Sequence, residues 1–322
     1  MKYKRLGRTG LKISELCLGT MQFGWSVNAK DSYNILSEAW SRGVNFIDTA
    51  DMYSNWVEGN PGGVSEEIVG QWHTSNKIPR DQLIIATKVR GKMGEDPNNI
   101  GLSRQHIMHS VEQSLKRLKT DYIDLYQTHS ADPDTPIEET LRALDDLVHQ
   151  GKVRYIGCSN YPAWQLMEAL WTSDSQGLYR FDSLQPNYSI VFRKHFERGN
   201  ESVCQKFGIG VIPYSPLAGG FLTGKYRRNK PLPNSVRASA VQDTHIKEKN
   251  WETLKVVGDV AKSHDASMSQ IALAWLLNRP VITSPIIGPR DAQQLQDNLG
   301  TIDISLNNHD MMTLNEISTW QD

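Results

Sequence analysis

Two residues that could do acid–base chemistry lie where an apolar segment becomes polar, Asp48 and Tyr53. The residues before them, 44–47 (Val-Asn-Phe-Ile), are typical of a short buried strand, and 65–67 (Ser-Glu-Glu) is typical of the start of a helix. Asp48 therefore ends a buried strand, where an unpaired carboxylate is costly and needs a cation. Lys88 ends a second apolar segment and supplies one.

A third strand end adds an imidazole, His129. The carboxyl ends of parallel strands lie at one edge of an α/β fold, so we expect these side chains to meet. A phenol with a pKa of about 10 is a poor proton donor at neutral pH, and a neighbouring ammonium favours its ionisation. We therefore expect Lys88 to lower the pKa of Tyr53 and Asp48 to hold Lys88 in place. His129 would orient a carbonyl oxygen or relay a proton.

Each of these residues has a simpler explanation when it is taken singly. A lysine at the end of a strand is usually a surface residue, as Lys88 could be. Tyr53 could be an aromatic side chain packed in its loop, and His129 could be a hydrogen-bonded core residue. Four compatible groups at successive strand ends are hard to obtain by chance, so their combination favours an active site.

Polar and small residues follow the later strands. Ser159, Asn160 and Gln185 carry a hydroxyl and two amides, which suit the donor and acceptor edges of a carboxamide. Capping of the next helix by Ser159 or Asn160 is the alternative. Tyr214 could stack on a flat ring, and the small residues in 215–220 would let backbone amides approach a pyrophosphate.

Two connections are longer than is usual in a compact domain, residues 54–64 after strand two and 217–246 after strand seven. The basic residues of the second are Lys225, Arg227, Arg228, Lys230 and Arg237. They suit a phosphate-bearing ligand, although a solvated loop explains them nearly as well. Arg290 also precedes a helix start at Asp291, where a phosphate is favourable.

Strand-like segments alternate with helical patterns along the chain. The predicted strands are Ser14–Met21, Asn45–Ala50, Leu83–Val89, Ile123–His129, Val153–Asn160, Phe181–Tyr188, Gly208–Ser215 and Val281–Gly288. The predicted helices are about 31–42, 65–76, 103–118, 136–149, 161–173, 194–206, 247–264, 267–278, 291–299 and 308–320. Residues 2–14, with a turn at 7–10, predict a hairpin.

This regular alternation, without a break in composition, favours one domain over residues 1–322, an α/β fold of the (β/α)8 TIM barrel type. The N-terminal β-hairpin and the long loops after strands 2 and 7 would be additions to that barrel. A doubly wound open sheet is the structural alternative. It is disfavoured because no G-x-G-x-x-G follows the first strand.

Composition excludes several classes of partner. The formal net charge of −1 gives no attraction to nucleic acid or to an anionic membrane. Cys17, Cys158 and Cys204 lack metal-type spacing and cannot all pair with one another, so we expect no metal site and buried free thiols in a reducing compartment. Residues 1–6 lack the apolar run of a signal peptide, and no segment is long enough to span a bilayer. The prediction is a cytoplasmic protein whose oligomeric state stays open.

Together these residues resemble the aldo-keto reductase family over nearly the whole chain. The resemblance is carried by residues 18–20 (Leu-Gly-Thr), 48–53 (Asp-Thr-Ala-Asp-Met-Tyr), 87–88, 121–129, 157–160 and 215–217. It implies a (β/α)8 barrel that uses NADPH, with NADH as a possible alternative, to reduce an aldehyde or ketone. It also implies that Tyr53 is the general acid and that Lys88 and Asp48 tune it. His129 would orient the substrate.

The resemblance implies ligand contacts as well. The cofactor-binding residues would be Gly19, Thr20, Met21, Asp48, Ser159, Asn160, Gln185, Tyr214, Ser215, Pro216, Leu217, Gly219, Lys225, Gly288, Arg290, Gln294 and Asn298. The substrate would meet Trp25, Tyr53, Trp56 and His129, although loop packing also explains the two tryptophans. Gly288 and Pro289 stand where better-known members have lysine and serine around the 2′-phosphate, so Arg290 would carry that recognition.

Two other functions compete with carbonyl reduction. A nucleotide-binding regulatory subunit is possible, because the family also resembles potassium-channel β subunits. An aldolase-type barrel with Lys88 as a Schiff-base residue is the third interpretation. The adjacent Asp48 argues against it, because ion pairing raises the pKa of a lysine whose chemistry requires a lowered one.

Overall fold

The computed structural model describes residues 1–320, so the last two positions of the predicted domain lie outside the described residues. An antiparallel hairpin, β1 (Tyr3–Arg5) and β2 (Lys12–Ser14), begins the chain. The strands of the main sheet are β3 (Cys17–Gly19), β4 (Phe46–Asp48), β5 (Ile84–Val89), β6 (Ile123–Thr128), β7 (Val153–Ser159), β8 (Phe181–Gln185), β9 (Gly210–Val211) and β10 (Ile286–Ile287). All neighbours in it are parallel, in the order β10-β3-β4-β5-β6-β7-β8-β9.

Backbone contacts join the two outer strands of this sheet. Val211 forms a parallel bridge with Ile282, and the Thr283 N–H donates to the Val211 carbonyl at 2.8 Å. The Ile286 N–H donates to the Pro213 carbonyl at 2.9 Å. The sheet therefore curls until its ends meet, and the predicted (β/α)8 fold with an N-terminal hairpin is confirmed.

Helices surround the sheet. They are α1 (Ala29–Ser41), α2 (Val64–Ser75), α3 (Arg104–Leu118), α4 (Ile137–His149), α5 (Ala163–Gln176), α6 (Glu201–Phe207), α7 (Ala238–His245), α8 (Glu248–Ser263), α9 (Met268–Leu277), α10 (Ala292–Leu299) and α11 (Asn308–Ile317). Ser103 caps α3, because its hydroxyl accepts the His106 N–H. A capping box between Ser267 and Gln270 starts α9.

The hairpin closes the N-terminal end of the barrel. Leu6 and Ile13 pack with Phe46 and Leu125, which belong to the barrel strands. Gly7 adopts φ +54°, and a Cβ on it would lie 2.5 Å from the Gly208 carbonyl oxygen, so glycine permits this close approach. The opposite end, where the strands have their carboxyl termini, is not covered by the hairpin.

The structure differs from the predictions mainly after strand seven. The segment 217–246, expected as a loop, contains a 3-10 helix at Ala218–Thr223 and helix α7. The helix has no side-chain cap and buries only Val241 and His245, so it leaves almost no periodic signal in the sequence. The predicted helix 194–206 is a π-helical turn at Phe196–Asn200 followed by α6.

The three cysteines are free and buried, as predicted. Within residues 1–320, no helix combines the length and the apolar character that a membrane crossing requires.

Candidate active site

Adjacent strands bring the acid and the ammonium together. Asp48, the last residue of β4, pairs in register with Ala86 on β5. Side chains alternate along a strand, so Lys88 lies on the same face as Ala86, one level nearer the carboxyl end. Its Nζ donates to Asp48 Oδ2 at 2.6 Å, to the Thr49 carbonyl at 2.9 Å and to Tyr53 Oη at 2.9 Å. All three ammonium protons are used, and the phenol proton of Tyr53 stays free to be donated elsewhere.

The electrostatics of this group differ from the sequence-based expectation. Burial raises the pKa of Tyr53 to about 12, and the favourable field of Lys88 offsets only part of that effect. The negative charge of Asp48 adds to the increase. The expected lowering of the phenol pKa towards neutrality is therefore wrong for the protein alone, because loss of phenolate hydration outweighs one ion pair. Tyr53 is a neutral phenol that holds its proton at physiological pH.

Lys88 stays charged although it is fully buried. Burial lowers its pKa, but Asp48 and Tyr53 together more than compensate and leave the pKa above its ordinary value. A Schiff-base mechanism needs a neutral amine, so this geometry contradicts the aldolase-type interpretation.

His129 lies beside Tyr53, with the ring centroids 5.8 Å apart. Burial, together with the positive charges of Lys88 and Arg90, lowers the pKa of His129 to about 3. The imidazole is therefore neutral at physiological pH and has one N–H. Its Nδ1 is buried without a hydrogen-bond partner among the described residues.

The amide group predicted on the next strands is present. Tyr214 Oη donates to Asn160 Oδ1 at 2.9 Å, and Asn160 Nδ2 donates to the His129 carbonyl at 3.0 Å. Ser159 Oγ donates to the Gln185 carbonyl at 2.8 Å. Neither Ser159 nor Asn160 caps α5, whose N-cap position is Pro162 without a side-chain cap, so the capping alternative is wrong.

One cavity of about 650 Å³ opens above these groups. It is bordered by every predicted cofactor residue: Gly19, Thr20, Met21, Asp48, Ser159, Asn160, Gln185, Tyr214, Ser215, Pro216, Leu217, Gly219, Lys225, Gly288, Arg290, Gln294 and Asn298. Tyr53 and His129 also border it, whereas Lys88 lies behind them.

The far end of the cavity is cationic. Lys225, Arg237 and Arg290 border it, and none of the three forms an ion pair with any residue from 1 to 320. Burial and the charges of Arg290 and Arg237 lower the pKa of Lys225. Gly220 has φ +96°, and a Cβ on it would lie 2.8 Å from Lys225 Nζ, so glycine lets the ammonium reach its position. This end of the cavity can take an anion.

The predicted substrate tryptophans lie near Tyr53 but do not border the cavity. Trp56 meets Tyr53 edge to face at a centroid distance of 6.5 Å, and Trp25 meets Trp56 at 5.6 Å. Trp56 is 45% exposed, and Arg237 lies 6.0 Å from the ring of Trp25. The tryptophans form a partly exposed aromatic wall outside the reacting group.

Sequence reasoning left out several residues. Those that border the cavity are Gln22, Gly220, Thr223, Ser235, Val236, Arg237, Ser267, Ser269, Ile286, Ile287, Gln293 and Asp297. Gln127, buried beneath the cavity, contacts Asp48. Arg237 is one of the basic residues of the connection 217–246, and the sequence does not distinguish it from Arg228. In the structure Arg237 borders the cavity, whereas Arg228 pairs with Glu248 at the surface. The sequence does contain a signal for Gln127. It alternates with Tyr126 along β6, so the two side chains lie on opposite faces of the sheet and Gln127 points into the barrel.

Among residues 1–320, no group of three or more histidine, cysteine or acidic side chains is arranged to hold a metal ion.

Comparison with known proteins gives a consistent result. The model of the Aldo/keto reductase family matches residues 15–319. The chain is 38% identical to an uncharacterized oxidoreductase, YrpG, of Bacillus subtilis, over 98% of this chain and 96% of that protein. It is 33% identical to a versiconal hemiacetal acetate reductase of Aspergillus parasiticus, over 98% of this chain and 96% of that one. It is 34% identical to a probable voltage-gated potassium channel subunit beta of Arabidopsis thaliana, over 94% and 92%.

The family match covers nearly the whole barrel, and the relatives share almost their full length with this chain. The protein therefore belongs to the aldo-keto reductase family and is an NAD(P)H-dependent oxidoreductase.

Proposed function

We propose that the protein is an NADPH-dependent carbonyl reductase, which converts an aldehyde or ketone to an alcohol. The observation that carries the proposal is the contact between Lys88 and Tyr53 at the base of the cavity. A neutral phenol, held by a buried ammonium and bordering a ligand-sized cavity, is suited to donate a proton to a developing alkoxide.

The cavity fits the cofactor at both ends. Ser159, Asn160 and Gln185 offer a hydroxyl and amides for the carboxamide, and Tyr214 offers a flat ring. Lys225 and Arg290 offer unpaired positive charge for phosphates. When bound, the cofactor supplies the hydride. We propose NADPH rather than NADH because the cation cluster exceeds what a pyrophosphate alone would neutralise.

The residues of the chain would divide the proton chemistry among them. Tyr53 donates its proton to the carbonyl oxygen, and Lys88 stabilises the phenolate that this leaves. Asp48 keeps Lys88 charged and in place. His129, because it is neutral, orients the carbonyl oxygen with its single N–H and does not compete as an acid.

Replacement of Tyr53 by phenylalanine tests the proposal. Loss of a positioned general acid typically costs about 10²–10⁴-fold in rate, so kcat with a generic aldehyde should fall by that factor in Tyr53→Phe. Affinity for NADPH, followed by fluorescence titration, should survive. Tyr122→Phe is the matched control, since its hydroxyl donates to the Arg80 carbonyl away from the cavity. Unchanged turnover in Tyr53→Phe would refute the assigned role.

A second candidate, a nucleotide-binding regulatory subunit, is favoured by the relatives named as potassium channel β subunits. The two functions differ in whether bound NADPH is consumed. Absorbance at the reduced nicotinamide band should decline when an aldehyde is added if the protein is a reductase. Tight binding without oxidation across an aldehyde panel would favour the regulatory alternative.

We also propose a cytoplasmic location. Its support is the presence of three buried cysteines, none of them in a disulfide, which is usual for a reducing compartment.

A further inference from the structure

A pair of buried glutamine amides lies beneath the cavity, on the side of Asp48 that Lys88 does not use. Gln185 Nε2 donates to Asp48 Oδ1 at 2.8 Å, and Gln127 Nε2 donates to the same oxygen at 3.2 Å. Gln185 Nε2 also lies 3.3 Å from Gln127 Oε1, which accepts its second proton. The carboxylate therefore accepts three hydrogen bonds when Lys88 is included, one on Oδ2 and two on Oδ1.

The strand between these two amides leaves space for them to meet. Gln127 is on β6 and Gln185 is on β8, with β7 between them. The β7 residue in register with Gln127 is Gly157, and a Cβ on it would come within 2.2 Å of Ser183 Oγ. Glycine at this level means that β7 contributes no side chain between the amides.

The chemistry of the partners decides how the amides are oriented. A carboxylate only accepts hydrogen bonds, so both glutamines must turn their nitrogens towards Asp48. Gln127 Oε1 then accepts from Gln185 Nε2, which leaves the oxygen of Gln185 as the end of that amide not engaged with Asp48. Gln185 borders the cavity, whereas Gln127 is fully buried and does not. Gln127 is thus placed to act on the reaction only through Asp48 and Gln185.

We propose that Gln127 is a positioning residue that holds the Asp48 carboxylate in line with Lys88 and disperses its negative charge. Asp48 has two opposing influences on Tyr53, because it holds the ammonium in place but also repels the phenolate. Hydrogen bonds to Oδ1 leave the carboxylate in place to hold Lys88 and reduce its repulsion of the phenolate. This inference rests on the proposed function, since the quantity that Gln127 adjusts is the acidity of Tyr53.

The test uses the full-length protein and two substitutions of nearly unchanged shape. In Gln127→Met both hydrogen-bonding groups are lost, so Asp48 repels the phenolate more strongly. We expect kcat for aldehyde reduction to fall about tenfold, since one hydrogen bond to a charged group is worth about that factor. Alcohol oxidation needs the Tyr53 phenolate as its base. The pH at which the oxidation rate rises should therefore move up by about one unit. The KM for the aldehyde and the Kd for NADPH should change by less than about threefold, because Gln127 touches neither ligand.

The second substitution, Gln127→Glu, keeps the proposed role of Gln127 testable if the methionine variant is unstable. The introduced carboxyl can donate a proton to Asp48 Oδ1 only while it is protonated, and a neighbouring carboxylate raises its pKa. Activity should therefore be retained at low pH and lost as the new carboxyl ionises, which adds a limb to the pH profile. The titratable groups that face Asp48 and Tyr53 are Lys88 on β5, Cys17 on β3, His129 after β6 and Arg237 before α7.

Tyr126→Phe is the control on the same strand, because Tyr126 points away from the barrel interior and its hydroxyl has no partner among the described residues. It should leave kcat and the pH profile unchanged. A wild-type pH profile and kcat in Gln127→Met, with only a lower melting temperature, would reduce Gln127 to a structural residue and overturn the inference. Absence of turnover in the unmodified protein would instead overturn the proposed function, so the two failures are distinguishable.

Discussion

The two ends of the cavity differ in whether their charged side chains are paired. At the Tyr53 end, Lys88 and Asp48 are both almost completely buried and are bonded to each other at 2.6 Å. At the other end, Lys225, Arg237 and Arg290 face a shared space without acidic partners within residues 1–320. The first end is preorganised by the protein itself. The second carries positive charge without acidic partners, which an anionic ligand would neutralise.

Lys88→Met should have the largest effect at the Tyr53 end of the cavity. It leaves Asp48 as a buried carboxylate without its cation, which typically costs about 3–5 kcal/mol of stability. We expect the free energy of unfolding, measured by urea denaturation, to fall by about that amount. Turnover of an aldehyde should be lost as well, because the ammonium that contacts the Tyr53 hydroxyl is then missing.

The double substitution Lys88→Met with Asp48→Asn is the control for this prediction. It removes both charges, so most of the lost stability should return while activity stays absent. A double variant as unstable as Lys88→Met would show that packing, and not the unpaired charge, caused the loss.

Arg290→Ala tests the cationic end of the cavity. Removal of one charge-assisted contact should weaken NADPH binding about 10- to 100-fold and NADH binding much less. The stability of the ligand-free protein should not fall. Arg290 is close to Lys225 and Arg237, and its removal reduces the repulsion among these positive charges. Isothermal titration with the two nucleotides measures the ratio of their affinities.

Arg228→Ala is the matched control for this second prediction. Arg228 belongs to the long connection 217–246 that also carries Lys225 and Arg237, but its side chain is 59% exposed and its guanidinium pairs with Glu248 at the surface. Both nucleotides should bind as they do to the unmodified protein. Equal weakening of NADPH and NADH binding in Arg290→Ala would place that arginine on the pyrophosphate and remove it from 2′-phosphate recognition.

The last prediction concerns the charge of His129, which should not change near neutral pH. Its pKa is lowered to about 3 in the folded protein, against about 6.5 for an unfolded histidine. Between these values only the unfolded state takes up the proton, so this group makes the protein less stable as the pH falls through that range. NMR of the imidazole should show no titration between pH 5 and 8. A midpoint near 6.5 would contradict the neutral role assigned to His129.

Much of the site followed from the sequence because its residues stand at fixed points of a regular repeat. Asp48 ends β4, Lys88 lies near the end of β5, and His129 directly follows β6, so their meeting required only that the strands be parallel neighbours. The residues predicted to bind the cofactor border one cavity, and their contact with a cofactor stays a prediction. The single-domain assignment over residues 1–322, the exclusion of nucleic acid and the absence of a metal remain predictions.

Other features could not be read from the chain. Helix α7 and Arg237 come from a connection without a periodic pattern, and the approach of Arg237 to Trp25 depends on how that connection folds back. The pKa of Tyr53 was predicted in the wrong direction because the cost of burial depends on the whole surrounding structure, and a list of neighbours in sequence contains only the favourable ion pair.

The side chains at the strand ends could be identified from the sequence, since alternation along a strand and the parallel repeat are local rules. Their protonation states and hydrogen-bond partners depend on the folded molecule. The neutral state of Tyr53 and His129 arises from desolvation inside a closed barrel. The contact of Gln127 with Asp48 spans strands far apart in sequence. Both depend on distances and burial in three dimensions, which no local pattern encodes.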